Sequence, residues 1–236
     1  MRLPCFQLTH TMTHPLKIDF VSDISCPWCA IGLAALERAL ANVQAEVTAQ
    51  VHVQPFELNP QMPAGGQDIG EHLTQKYGST PEQQAQIRDT IRQRGEAVGF
   101  EFNPAGRGRI YNTFDAHRLL HWAGLQSAAI QLALKKALLV ACHTHSQDMA
   151  SHTVLLAAVS QLGLDTQRAQ AILASDEFAA DVRAAEAFYT SQGIHSVPAV
   201  IINDRHLISG GQPVEVFEQA LRQIAAQPNA SALEAG

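Results

Sequence analysis

The chain has 236 residues, of which 46% are hydrophobic and 16% charged, enough for a sizeable core and incompatible with a disordered chain. A net charge of −6 lacks the basic footprint of a nucleic-acid binder. No apolar run approaches the roughly 18 residues of a membrane span, so a soluble protein with neither nucleic-acid nor membrane partners is expected.

Thr, His and Pro interrupt the first twenty residues, where a secretory signal would need a continuous apolar core. A cytoplasmic protein with reduced thiols is therefore expected. Leu16, Ile18 and Phe20 alternate with polar residues as a strand does. Because this pattern begins only at Leu16, Met12 is a candidate for the true start. From Pro27 the period changes, and Leu33, Leu36, Leu40 and Val43 mark one face of a helix. Val47, Ala49, Val51 and Val53 form a second strand, which Pro55 ends. This is a β-α-β unit with a right-handed parallel crossover.

From about Asp68 to Gln192 the pattern is helical. Helices are expected over Pro81 to Val98, Thr113 to Ala123, Gln126 to Cys142, Ser151 to Leu162, Thr166 to Leu173 and Asp176 to Ser191. Pro198 to Ile202 and His206 to Ser209 read as a hairpin. Gly210-Gly211 breaks the chain, Pro213 suits the first position of a helix, and Val214, Phe217, Leu221 and Ile224 line its face. The fold class is α/β: one sheet from a β-α-β half and a β-β-α half, with a large all-helical insertion between them. The boundaries fall at 16–62, 63–192 and 193–236.

Four cysteines (Cys5, Cys26, Cys29 and Cys142) are too few for a disulfide framework. Cys26-Pro27-Trp28-Cys29 lies where a strand gives way to a helix. There the unpaired N–H groups and the macrodipole favour a thiolate, making Cys26 the attacking sulfur. Pro27 suits the first turn, and Cys29, one turn further in, becomes the resolving thiol. Half of a zinc site would need two more ligands, and no metal is expected. Val197-Pro198 opens the third strand. A cis bond there would bring backbone polar groups to the dithiol, free to pair with an extended substrate.

Asp19 precedes Cys26 by seven residues on the first strand. It is either a buried acid that takes the resolving thiol's proton or a solvated strand residue. Asp23 is expected in an exposed loop and Arg107-Gly108-Arg109 in a solvated one. His117 and Arg118 read as structural. Cys142-His143-Thr144-His145 ends an apolar helix, with Cys142 a small hydrophobe and the histidine favoured by the dipole.

The chain resembles the DsbA-like thioredoxin superfamily, and within it the FrnE-type branch of thiol–disulfide oxidoreductases. The residues that carry the likeness are Ile18 to Asp23 before the C-P-W-C, Asn112 to Leu120, Val197-Pro198, and Ser209 to Phe217. The resemblance implies a thioredoxin fold, Cys26 as nucleophile, Cys29 as resolving thiol, Pro198 as a cis-proline, and substrate contacts at Pro27, Trp28 and Val197. DsbA itself has His where Trp28 stands, so a weaker oxidant is expected. Related kappa-class glutathione transferases and 2-hydroxychromene-2-carboxylate isomerases carry Ser in place of Cys26. The expected function is to reduce, form or isomerise disulfides in protein or small-molecule thiol substrates. It needs no cofactor beyond the dithiol, with glutathione a candidate co-substrate. The alternative is an isomerase or glutathione-dependent transferase acting on a small aromatic molecule.

Overall fold

The computed structural model describes residues 14–63 and 65–227; Cys5 and Met12 lie outside them. Strand β1 (His14–Ser22) leads through a short loop into α1 (Pro27–Asn42) and back along β2 (Val47–Pro55). β1 and β2 run parallel, with Ile18 opposite Val51. After the insertion, β5 (Ala199–Ile202) and β6 (His206–Ser209) form the hairpin, and α9 (Val214–Ala225) closes the described chain. The sheet order is β2-β1-β5-β6, with β5 antiparallel to β1. Two pieces far apart in sequence thus share one sheet, and β1 lies in its interior.

Period-two alternation sends the residues of β1 to opposite faces. Ile18 and Phe20 pack with Leu33 and Leu36 of α1 and with Phe217 and Leu221 of α9. Each such side chain, fully buried, is worth roughly 1.5–3 kcal/mol. Val21 faces the other way, against Tyr189 and Ala199. The Gly32 position in α1 has to be small: a Cβ there would lie 3.0 Å from Pro198 Cγ and 3.3 Å from Gly211 Cα. Pro213 is the residue before α9 rather than its first, with ψ at 158°.

The insertion comprises α2 (Ile69–Tyr77), α3 (Pro81–Val98), α4 (Phe114–Gln126), α5 (Ala128–His143), α6 (His152–Gln161), α7 (Thr166–Leu173) and α8 (Ala179–Ser191). A two-residue antiparallel pair, β3 (Gln67–Asp68) with β4 (Arg109–Ile110), is the one departure from an all-helical block among the described residues. Helix α2 was not separately legible, because its surface is polar and short of apolar repeats. Its caps follow the rules nonetheless: Asp68 accepts from the Glu71 amide, and Gly78 ends it at φ 66°. The insertion has its own core around Leu119, Leu134, Leu138, Leu155 and Ile172, and Ile24 and Val53 join it from the sheet side. That shared core brings α5 beneath the loop that carries the cysteines.

Candidate active site

Cys26 is the N-cap of α1, with Pro27 at the first helical position. The first turn holds no acidic side chain, and although Cys26 makes no capping hydrogen bond, its sulfur stands at the positive end of the helix. Cys26 is 4% exposed and Cys29 fully buried, while Pro27 and Trp28 are half-buried at the surface. Both thiols are free. The pKa of Cys26 is lowered, chiefly by the Cys29 S–H donating to its sulfur; burial opposes this, and the Cys29 and Trp28 amides support it. Cys29 goes the other way, its pKa pushed well up by burial and then by its neighbour. The two sulfurs are therefore already differentiated as attacking and resolving thiols would be.

The Val197-Pro198 bond is cis. It places the Val197 carbonyl 3.6 Å from Cys26 Sγ. The Gly210 amide donates to the Pro198 carbonyl at 2.8 Å, holding this loop to the next turn. Arg94 of α3 braces the same turn: it donates to the Gly211 carbonyl at 2.8 Å, and its guanidinium lies 5.9 Å from the centre of a Trp28 ring. Cys26, Pro27, Trp28, Cys29, Val197 and Pro198 are thus brought together. Tyr77 of α2, which sequence reading missed, is 61% exposed. Its phenol pKa is raised by partial burial and by charge on Cys26.

Asp19 does not join the site. It is buried, but its carboxylate is held by Lys17 at 2.9 Å and Gln54 at 2.7 Å. The parity of β1 turns it toward the Tyr189 face, away from α1. The acid beside the dithiol is Asp23, expected in an exposed loop and in fact only 1% exposed. It accepts from the Ser25 amide and hydroxyl (3.1 Å each), the Leu58 amide (2.8 Å) and Thr113 Oγ1 (2.8 Å). Burial pushes its pKa up, but the His117 ring and these amides outweigh that and hold the carboxyl far below the usual range. His117 Nε2 lies 3.7 Å from Asp23 Oδ1, beyond hydrogen-bond reach, and has no hydrogen-bond partner among the described residues. Arg118 is structural: buried, it donates to the carbonyls of Glu177, Ile172 and Ser175.

The cysteine loop is also fastened from below. Arg107, expected in a solvated loop, donates to the Ser25 carbonyl at 2.9 Å and to Cys142 Sγ at 3.1 Å. His143 donates through Nε2 to the Ile24 carbonyl at 2.9 Å. Two residues remote in sequence, Arg107 and His143, thereby hold the approach to Cys26, a role that no local pattern announces. No group of three His, Cys, Asp or Glu side chains among the described residues is arranged to hold a metal.

Burial, then the Arg107 charge, keeps His143 neutral with a pKa well below 6.5. The unfolded chain gains a proton here that the native protein refuses, so this histidine's stabilisation is complete above about pH 6.5 and declines below it. His143→Gln, whose amide can still donate to Ile24, should flatten the loss of stability between about pH 6.5 and 5, by at most about 1.4 kcal/mol per pH unit. Urea unfolding across that range checks this, and an unchanged slope would contradict a neutral buried imidazole.

The DSBA-like thioredoxin domain matches residues 17–222. The chain belongs to the DSBA-like thioredoxin domain family. A crystal structure of a probable DsbA oxidoreductase from Streptomyces coelicolor is 32% identical, with 91% of this chain and 92% of that one covered and a TM-score of 0.83. At 12% identity, a 2-hydroxychromene-2-carboxylate isomerase shares the fold at a TM-score of 0.69, covering 93% of this chain and 100% of its own. The cytosolic disulfide reductase DsbM from Pseudomonas aeruginosa, with GSH, does so at 15% identity and a TM-score of 0.62, covering 89% and 100%. No curated protein matches the chain. The DSBA-like fold thus stands, with its helical insertion, and the family is one of thiol–disulfide oxidoreductases. No described helix is long and apolar enough to cross a membrane.

Proposed function

We propose that this protein exchanges disulfides through Cys26 and Cys29 by a mixed-disulfide mechanism. The observation that carries the reading is the position of the Cys26 sulfur, 3.6 Å from the Val197 carbonyl at the cis-Pro198 bond and beside the Cys29 thiol. The Cys26 thiolate attacks one sulfur of a substrate disulfide, and the other leaves as a thiolate that takes a proton from water. Cys29 then loses its proton and attacks Cys26 Sγ. The Cys26–substrate bond breaks, its electron pair leaves on the substrate sulfur, and the protein holds the disulfide. Run in reverse, the same steps oxidise a dithiol.

An extended substrate would lie along the Val197-Pro198 backbone, with Trp28 at its side. Asp23 places a negative charge near Cys26 and raises its pKa. Together with the absence of a cation within the C-P-W-C, this favours a weaker oxidant than DsbA. A cytosolic thiol reductant, glutathione among the candidates, would close the cycle.

The test is a Cys29→Ser protein mixed with a disulfide-bonded protein such as insulin. A mixed disulfide should accumulate, mapped to Cys26 by mass spectrometry. Absence of the adduct, or an adduct on Cys142, overturns the proposal. An isomerase or transferase acting on a small aromatic molecule would keep its turnover in Cys29→Ser, whereas disulfide exchange would not.

A further inference from the structure

Helix α5 reads in sequence as an apolar helix at the centre of the insertion, yet Lys135 lies on its most buried side, at 0% exposure. Its Nζ donates to the Ser22 carbonyl at 3.5 Å, the outer limit of a hydrogen bond, and among the described residues no carboxylate lies within ion-pair distance of it. A dry ammonium with one long contact is costly. An apolar side chain would fill the same space without that cost. Something other than packing accounts for a lysine here.

The other end of the contacted peptide supplies the reason. The Ser22–Asp23 peptide accepts from Lys135 through its carbonyl, and its N–H lowers the pKa of Cys29. The ammonium thus touches the peptide that borders the dithiol, and its own charge also lowers the Cys29 pKa. Burial lowers the Lys135 pKa, and the groups whose charges oppose this are Cys29 and Cys26 of the first turn of α1, Asp23 of the loop, and Cys142 on α5 itself. Cys29 leads them. His143, one helix position beyond Cys142, also feels the lysine but is kept neutral by burial.

We propose that Lys135 is a positioning residue that stabilises the Cys29 thiolate during resolution, by its own charge and through the Ser22–Asp23 peptide. This rests on the disulfide-exchange reading above. In the resting dithiol the Cys26 thiolate competes for the same cation and discourages a second thiolate. Once Cys26 is bonded to substrate that charge is gone. Burial is then the chief obstacle to deprotonating Cys29, and Lys135 is the cation that offsets it. The proton leaves to solvent, the Cys29 sulfur bonds to Cys26 Sγ, and the substrate thiolate departs with the electron pair of the broken bond.

The experiment uses the full chain and an aromatic disulfide such as 5,5′-dithiobis(2-nitrobenzoate), which releases one coloured thiolate on attack by Cys26 and a second when Cys29 resolves the adduct. Stopped-flow traces between about pH 5 and 9 separate the two releases. In Lys135→Met the second release should slow by about tenfold or more at pH 7, with its pH midpoint moved upward, while the first changes less than about threefold. Lys135→Gln keeps a donor for Ser22 without the charge and should behave like Lys135→Met. Wild-type rates and pH profile in both variants, or in the glutamine variant alone, overturn the role of the charge.

If the variants fail to fold, the titration of the Lys135 side chain in the wild-type dithiol and disulfide forms, followed by NMR, decides the matter. The midpoint should be higher in the dithiol form; equal midpoints overturn the proposal. A wild-type protein that never gives the second release refutes the exchange reading itself, a different result from an unaffected variant.

Discussion

Replacing Cys26 by Ser should lower thiol-dependent reduction of a protein disulfide by about 10³-fold or more, to the level of the free reductant. The hydroxyl occupies the same N-cap position and can receive the same amides. It does not ionise in the range where the thiol, with its lowered pKa, supplies a thiolate. Stability should change little, because Ser is a favourable N-cap and the side chain is nearly the same size. The control is Cys142→Ala: that thiol is buried beneath the loop against Arg107, its pKa raised by burial, and should leave the exchange rate within a few-fold. A residual Cys26→Ser rate within tenfold of the parent would place the reacting sulfur elsewhere.

Gly211→Ala is the second large effect expected, and it acts without touching a sulfur. A Cβ at this position would lie 2.9 Å from the Trp28 carbonyl oxygen, a backbone atom of α1 that cannot swing aside. Either the start of the dithiol helix or the turn after β6 has to move. Overpacking of this kind costs roughly 1–3 kcal/mol. The turn also carries the Gly210 amide that holds the Pro198 carbonyl, and the Gly211 carbonyl that receives Arg94. A shift there therefore reaches the face where substrate would lie. Misplacement by about 1 Å can cost up to about 10²-fold in rate, so exchange should fall by about tenfold or more while alkylation of Cys26 by iodoacetamide stays near the parent rate. Thermal unfolding and an insulin-reduction assay check both parts. An alanine protein with the parent's melting temperature and rate would show that the close approach is not required. Gly32→Ala should act in the same direction but more weakly, because the atom it meets at 3.0 Å belongs to the Pro198 ring rather than to backbone.

The elements with strong local signals were legible in the chain alone. Period-two alternation around Ile18 and Phe20, the change to helical spacing after Pro27, and the β-β-α ending each depend on residues a few positions apart. Such patterns survive whatever the rest of the fold does. The dithiol was legible for the same reason: its chemistry follows from two cysteines three apart where a strand meets a helix, and the cis-Pro198 was anticipated from its place before a facing strand.

What surrounds the dithiol was decided by tertiary structure. Asp19 and Asp23 are four residues apart and chemically identical. Asp19 was weighed as the buried acid, but strand parity sends it to the sheet face opposite α1, while Asp23 is closed over by Leu58, Thr113 and His117. Arg107, Lys135 and His143 each reach a carbonyl of residues 22–25 from 80 to 120 positions further along the chain. Periodicity cannot report which polar side chain a packed helix turns toward a distant loop, because that depends on where the helix comes to rest. The sequence by itself determined the sheet, the helix and the two sulfurs. Only the packing of the insertion against the cysteine loop decided which charges those sulfurs meet, since in a dry interior a charge acts strongly on whatever the fold places beside it.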